Sequence, residues 1–149
     1  MKTMAYGNTA PEQPLGLLPI ERREVGPDDV AIDILYSGVC HSDVHTAWNE
    51  WNNTLYPCVP GHEIVGKVVA VGDNVSRFQA GQVVGVGCMV DSCRECASCH
   101  DGEEQYCTGS GFVGTYNGPD KHLGGHTYGG YSKAIVVNQD FVLTIGHDE

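Results

Sequence analysis

Hydrophobic positions along the chain recur in short alternating bursts rather than in long stripes. Over residues 30–36 (VAIDILY), Val30, Ile32, Ile34 and Tyr36 share one face and Asp33 takes the other, the two-residue period of a half-buried strand. EIVGKVVAVG at 63–72 forms a second β segment, Asp73 and Asn74 turn the chain, and QVVGVG at 82–87 follows as a third. YSKAIVV at 131–137 and FVLTI at 141–145, separated by Asn138, Gln139 and Asp140, predict a hairpin. One segment departs from the pattern: in SDVHTAWNE at 42–50, Val44, Ala47 and Trp48 fall on one helical stripe behind Ser42, which is placed to cap the first turn. The expected class is mainly β with a few short helices.

Composition sharpens that picture. The 149 residues are 41% apolar, enough for one domain with a single core, and 20 glycines and 7 prolines keep every element short. Eight Lys and Arg against 19 Asp and Glu leave a formal charge of −11, which repels phosphate backbones and anionic membrane surfaces alike. Neither nucleic acid nor a membrane is an expected partner. MKTMAYGNTAPEQ has no apolar run after its lysine, and nowhere do 18 apolar residues follow one another, so a cytoplasmic protein is the expectation. In a reducing compartment, seven cysteines of which four crowd into fifteen positions point to metal rather than to disulfides.

Those four are Cys93, Cys96, Cys99 and Cys107, spaced C-x2-C-x2-C-x7-C. Four thiolates at these spacings close a tetrahedron around Zn²⁺ and leave no open position, so the expected role is structural. A ferredoxin-type cluster would need its fourth cysteine three residues on and a proline after it; here seven residues intervene and Thr108 follows. His100 lies within the lobe but is left out of the ligand set, since four sulfurs suffice. Just beyond, Gly109, Gly111 and Gly114 match the spacing G-x-G-x-x-G of dinucleotide-binding turns. That turn needs an apolar strand before it and a helix after it. The flanks are HDGEEQYCT and TYNGPDKH, so a glycine-rich loop is expected instead.

Upstream lie CHSDVHT at 40–46 and PGHEIVG at 60–66. In order, G-x-C-x-[ST]-D-x-H, then G-H-E-x-x-G, then the cysteine lobe, the chain resembles the zinc-dependent medium-chain alcohol dehydrogenases. GHTYGGYS at 125–132 is most similar to their cinnamyl-alcohol-dehydrogenase branch, which includes bacterial aldehyde reductases. The resemblance runs over essentially the whole chain and implies a GroES-like, partly open β-barrel catalytic domain over 1–149 with a zinc lobe at about 88–115. It matches only the first part of such an enzyme. The family's third catalytic cysteine ligand, its nicotinamide-binding Rossmann domain and a returning last segment would fall beyond Glu149.

By that resemblance Cys40 and His62 are two ligands of a catalytic zinc, and Glu63 is the acidic residue that can enter its shell. Asp43 is the carboxylate expected to hydrogen-bond a ligating histidine, Ser42 and His45 occupy the proton-relay positions, and His41 falls near the cofactor phosphates. A zinc held by two thiolates and an imidazole is formally neutral and leaves a fourth position where an alcohol oxygen binds and becomes more acidic, much as zinc-bound water falls to a pKa of about 7. A serine hydroxyl and a surface imidazole then give the proton a way out. Taken without the family, Ser42 only caps a helix and His45 is only solvated. Trp48, Trp51 and Tyr56 are either walls of a substrate pocket or ordinary core, and Cys58 is an ordinary cysteine. The implied function is NADP(H)-dependent interconversion of primary alcohols and aldehydes by a homo-oligomeric full-length enzyme, with small alcohols and aldehydes as partners and the 149-residue chain inactive alone and without bound NADP(H). The competing reading is a self-sufficient zinc-stabilised β binding module without redox chemistry.

Overall fold

Ile32 and Val30 have no exposed surface, and they sit on the strand around which the molecule is assembled. The structure is a computed structural model that describes residues 1–146; the last three positions of the expected domain lie outside the described residues. Strand β3 (Asp29–Ser37) is flanked by β4 (Ile64–Val71) and β8 (Ala134–Asn138), β4 by β5 (Val83–Val86), and β5 by β9 (Val142–Thr144). All pairs are antiparallel and the order is β8-β3-β4-β5-β9. The valines and isoleucines that alternate along these strands meet Phe78 and Phe141 in one buried cluster. Among the described residues no helix is long and apolar enough to cross a membrane.

Three expectations from the hydrophobic pattern are corrected here. Residues 131–137 and 141–145 do not form a hairpin: β8 and β9 are the two outer strands of the sheet, each paired with a different neighbour. Only three residues, a 3-10 turn at Gln139–Phe141, join them. A link of that length reaches at most about 14 Å, so the two edges of the sheet must lie close together. The sheet is therefore curled on itself as a half-barrel, and the supposed hairpin is its seam. Tyr36 also leaves the buried face and is 73% exposed. Opposite it, Ile34 faces Gly66 and Tyr36 faces Val65, so one extra residue is accommodated between them and the side-chain alternation flips. Finally, the helix cap is Cys40 rather than Ser42, because the Asp43 carboxylate at the third helical position reaches back to the Cys40 amide at 2.8 Å. Helix α1 (His41–Ala47) is shorter than expected and stops where Asn49 takes a left-handed φ of 59°.

Four strands went unread in the sequence, two of six residues and two of three residues or fewer. β1 (Lys2–Gly7) and β2 (Gly16–Glu21) pair with each other and cover a second small core of Ala5, Ile20 and Val59. Pro19 in β2 masks the strand signal, and β2 tolerates it because, among the described residues, β1 is its sole strand partner. The cysteine lobe projects from the short pair β6 (Met89–Asp91) and β7 (Val113–Gly114), with one α-helical turn, α2 (Ala97–His100), and a 3-10 turn at Glu104–Tyr106 between them.

Candidate metal and catalytic centres

The lobe brings all four predicted cysteines together: their sulfurs lie within 4.8 Å of one another, and each cysteine is only partly exposed. Backbone amides converge on them. Cys93 N donates to Cys107 Sγ at 3.4 Å, Glu95 N and Cys96 N donate to Cys93 Sγ at 3.5 and 3.4 Å, and Thr108 N donates to Cys96 Sγ at 3.4 Å. Amides of Cys99 and Thr108 hold the Cys96 thiol down to about 5, and the Cys93 amide holds Cys107 below the usual thiol range. Cys99 goes the other way: the Ser92 hydroxyl favours its thiolate, but burial and the sulfurs of Cys96 and Cys107 outweigh it and push the group up to about 11. Four sulfurs this close cannot all carry charge without a cation among them, and the donor set is the one a tetrahedral zinc-like ion takes. His100 stays outside on an exposed position. The glycine-rich loop expected at 109–114 is present, and its first glycine serves this cluster: a Cβ on Gly109 would come within 2.6 Å of Cys93 Sγ.

A second group forms from distant segments. The ligating atoms of Cys40, His62 and Glu63 also lie within 4.8 Å of one another. Cys40 ends the loop after β3, whereas His62 and Glu63 precede β4, and β3 and β4 are neighbours in the sheet, so the topology delivers them to the same end. Gly61, immediately before His62, has a φ of +99°, and a Cβ there would stand 2.7 Å from Tyr131 Cδ1, so the chain can approach the site only as glycine.

Asp43 is 3% exposed and satisfied three times: by the amide of Cys40 at 2.8 Å, the amide of Gly61 at 2.9 Å and the hydroxyl of Tyr131 at 3.0 Å. Among the described residues no hydrogen bond joins it to His62; its donors are the backbone on either side of the site and the Tyr131 hydroxyl. His62 is instead stacked on Tyr116, centroids 5.5 Å apart and planes within 4°. Ser42 Oγ lies 3.5 Å from Cys40 Sγ. His45, one helical turn on, pairs through Nδ1 with the Glu50 carboxylate and is stacked against His41 at 4.6 Å. His41 is exposed.

Of the three aromatic candidates, Trp48 and Trp51 are 52% and 53% exposed and belong to no core, while Tyr56 donates its hydroxyl to Ala47 O at 2.9 Å. Cys58 is buried, and burial pushes its thiol up to about 12, which leaves it inert. Tyr131, Tyr116 and Glu50 had no role in the sequence reading. The GHTYGGYS motif contains Tyr131, but its spacing from Asp43 carries no signal before the fold is known.

The alcohol dehydrogenase GroES-like domain family matches residues 26–147. The chain belongs to this family. Over all 149 residues it is 55% identical to the aldehyde reductase YahK of Escherichia coli, and over 141 residues it is 56% identical to NADP-dependent alcohol dehydrogenase C 1 of Mycolicibacterium smegmatis. Among solved structures, a cinnamyl alcohol dehydrogenase of Sorghum bicolor superposes with a TM-score of 0.93 at 44% identity, over 99% of this chain and 41% of that one. The cinnamyl alcohol dehydrogenase of Helicobacter pylori in complex with NADP(H) gives 0.92 at 42% identity, over 97% of this chain and 42% of that one. The relatives are longer: the chain spans 42% of the Escherichia coli protein and 40% of the Mycolicibacterium one.

Proposed function

We propose that this chain is the GroES-like catalytic domain of a zinc-dependent, NADP(H)-using dehydrogenase of primary alcohols and aldehydes, and that alone it carries a complete structural zinc lobe beside an incomplete catalytic site. The observation that supports it most is the convergence of Cys40, His62 and Glu63 from two segments onto one point. A self-contained zinc-stabilised binding module would account for the cysteine lobe but has no use for this second set.

Cys93, Cys96, Cys99 and Cys107 hold the structural ion; Cys40 and His62, with Glu63 as alternate, supply part of the shell of the catalytic one. When bound, such an ion acidifies an alcohol and polarises an aldehyde carbonyl. The residues of this chain do the rest of the local work. Asp43 fixes the two ligand-bearing segments relative to each other. Ser42, beside Cys40, is placed to pass a proton along α1 toward His45, whose half-exposed ring delivers it to solvent with Glu50 as its orienting partner. His41, on the same exposed face, is left as the basic group toward the cofactor phosphates. Hydride transfer also needs a nicotinamide held against the substrate, and such positioning is worth many orders of magnitude in rate. The NADP(H) preference and the small-molecule alcohol or aldehyde partner follow the relatives, whereas assembly of the full-length enzyme into homo-oligomers is proposed on the family resemblance alone.

The deciding experiment is an NADPH-dependent aldehyde reduction assay on the protein as its gene encodes it, beside Cys40→Ser. Activity in the parent and loss of it in the variant are expected. A zinc-containing parent without dehydrogenase activity would favour the binding module.

A further inference from the structure

Two tyrosines reach the catalytic donor set from separate glycine-rich segments. Tyr131 donates its hydroxyl to Asp43 Oδ2 at 3.0 Å, while its own amide donates to Pro60 O at 3.0 Å and the Gly130 amide to Gly61 O at 2.7 Å. It thus grips both the segment that leads into His62 and the carboxylate that ties that segment to Cys40. Tyr116 lies parallel to the His62 ring. Burial first, and then the Asp43 carboxylate, push both phenols above their ordinary range, so each keeps its proton. Donors drawn from distant segments lose rotamer freedom when a metal binds, and groups that already restrain them reduce that cost. Among the described residues no ion pair involves Asp43. Its burial is balanced by three donors, and removal of one leaves a buried carboxylate oxygen short of a partner.

We propose that Tyr131 and Tyr116 are positioning residues that clamp the Cys40, His62 and Glu63 donor set, Tyr131 through Asp43 and Tyr116 through the plane of the imidazole. The proposal rests on the reading of that set as a metal site.

The test uses the 149-residue chain with its cysteine lobe filled by zinc and then titrated with cobalt(II). Near-ultraviolet thiolate-to-cobalt absorption is assigned to the second site by its loss in Cys40→Ser. Tyr131→Phe and Tyr116→Leu are expected to raise the cobalt dissociation constant about tenfold. Tyr116→Phe, which keeps the ring, should stay at the parental value, and zinc in the lobe should be unchanged in all three. Parental cobalt affinity in Tyr131→Phe and Tyr116→Leu, or equal loss in Tyr116→Phe and Tyr116→Leu, overturns the clamp. Absence of any Cys40-dependent absorption in the parent overturns the metal reading instead, and the clamp is then decided by two measurements that need no second metal. Amide hydrogen exchange at Cys40 and Gly61 should quicken about tenfold in Tyr131→Phe, with Val84 in the core unchanged. Relaxation of the His62 ring carbons should report a looser ring in Tyr116→Leu and not in Tyr116→Phe. Unchanged exchange, or an equally ordered ring in every variant, defeats the respective half.

Discussion

The cysteine lobe and the Cys40–His62 site differ in how far along the chain their parts must travel. The lobe's four cysteines lie within fifteen positions, on loops hung from β6 and β7, and amides of the same segment point at their sulfurs. The other site exists only because β3 and β4 pair and because a third segment, ending at Tyr131, is laid alongside residues 59–61. A locally encoded site depends on its metal for order. A topologically encoded one depends on the barrel, which brings its donor atoms within 4.8 Å of one another before any metal binds.

The largest expected effect that separates the two is loss of the lobe. Cys99→Ser, or a strong chelator, should release the structural zinc, whose binding in comparable small sites is worth roughly 10–16 kcal/mol. Proteolytic cleavage should then appear between residues 88 and 115 while the barrel stays resistant. Cleavage spread evenly over the chain would mean that the lobe and barrel are one cooperative unit.

Next in size is Gly61→Ala. Its φ of +99° and the contact of its Cβ with Tyr131 make the change cost about 2–5 kcal/mol of stability, read as a shift in the urea midpoint, with the lobe's zinc retained. An unshifted midpoint would show that the approach to His62 is not constrained by packing.

Gly109→Ala is the converse probe. A methyl against Cys93 Sγ should weaken zinc in the lobe about 10–100-fold and leave the barrel's midpoint unchanged, as followed by competition with a chromogenic chelator. Parental affinity would mean that the loop yields freely.

Smallest is His45→Gln in the active enzyme. It should slow turnover severalfold in weak buffer, and added imidazole should restore most of the loss. Equal rates at every pH tested would leave His45 as a surface residue paired with Glu50.

How much of this could be read before the fold was known follows the same division. The lobe was legible whole, because ligand spacing is local information. The strands at 30–36, 63–72 and 82–87 were legible because alternation is local too. The pairing of 131–137 with 141–145 was misread because a short polar turn favours a hairpin, whereas here each strand finds a better partner across a curled sheet. Cys40, His62 and Glu63 came from family resemblance, and the structure then brought their donor atoms together. The contacts of Asp43 with Gly61 and Tyr131 could not be foreseen: these partners are 18 and 88 residues away, and nothing in a one-dimensional pattern marks such contacts.

The central claim, a complete lobe beside an incomplete catalytic site, is tested most directly by counting zinc. The 149-residue chain, expressed with zinc and dialysed against a weak chelator, is analysed for metal per polypeptide. One zinc ion per chain, lost in Cys99→Ser and kept in Cys40→Ser, is the expected result. Two firmly held ions, or one that survives Cys99→Ser, would contradict it.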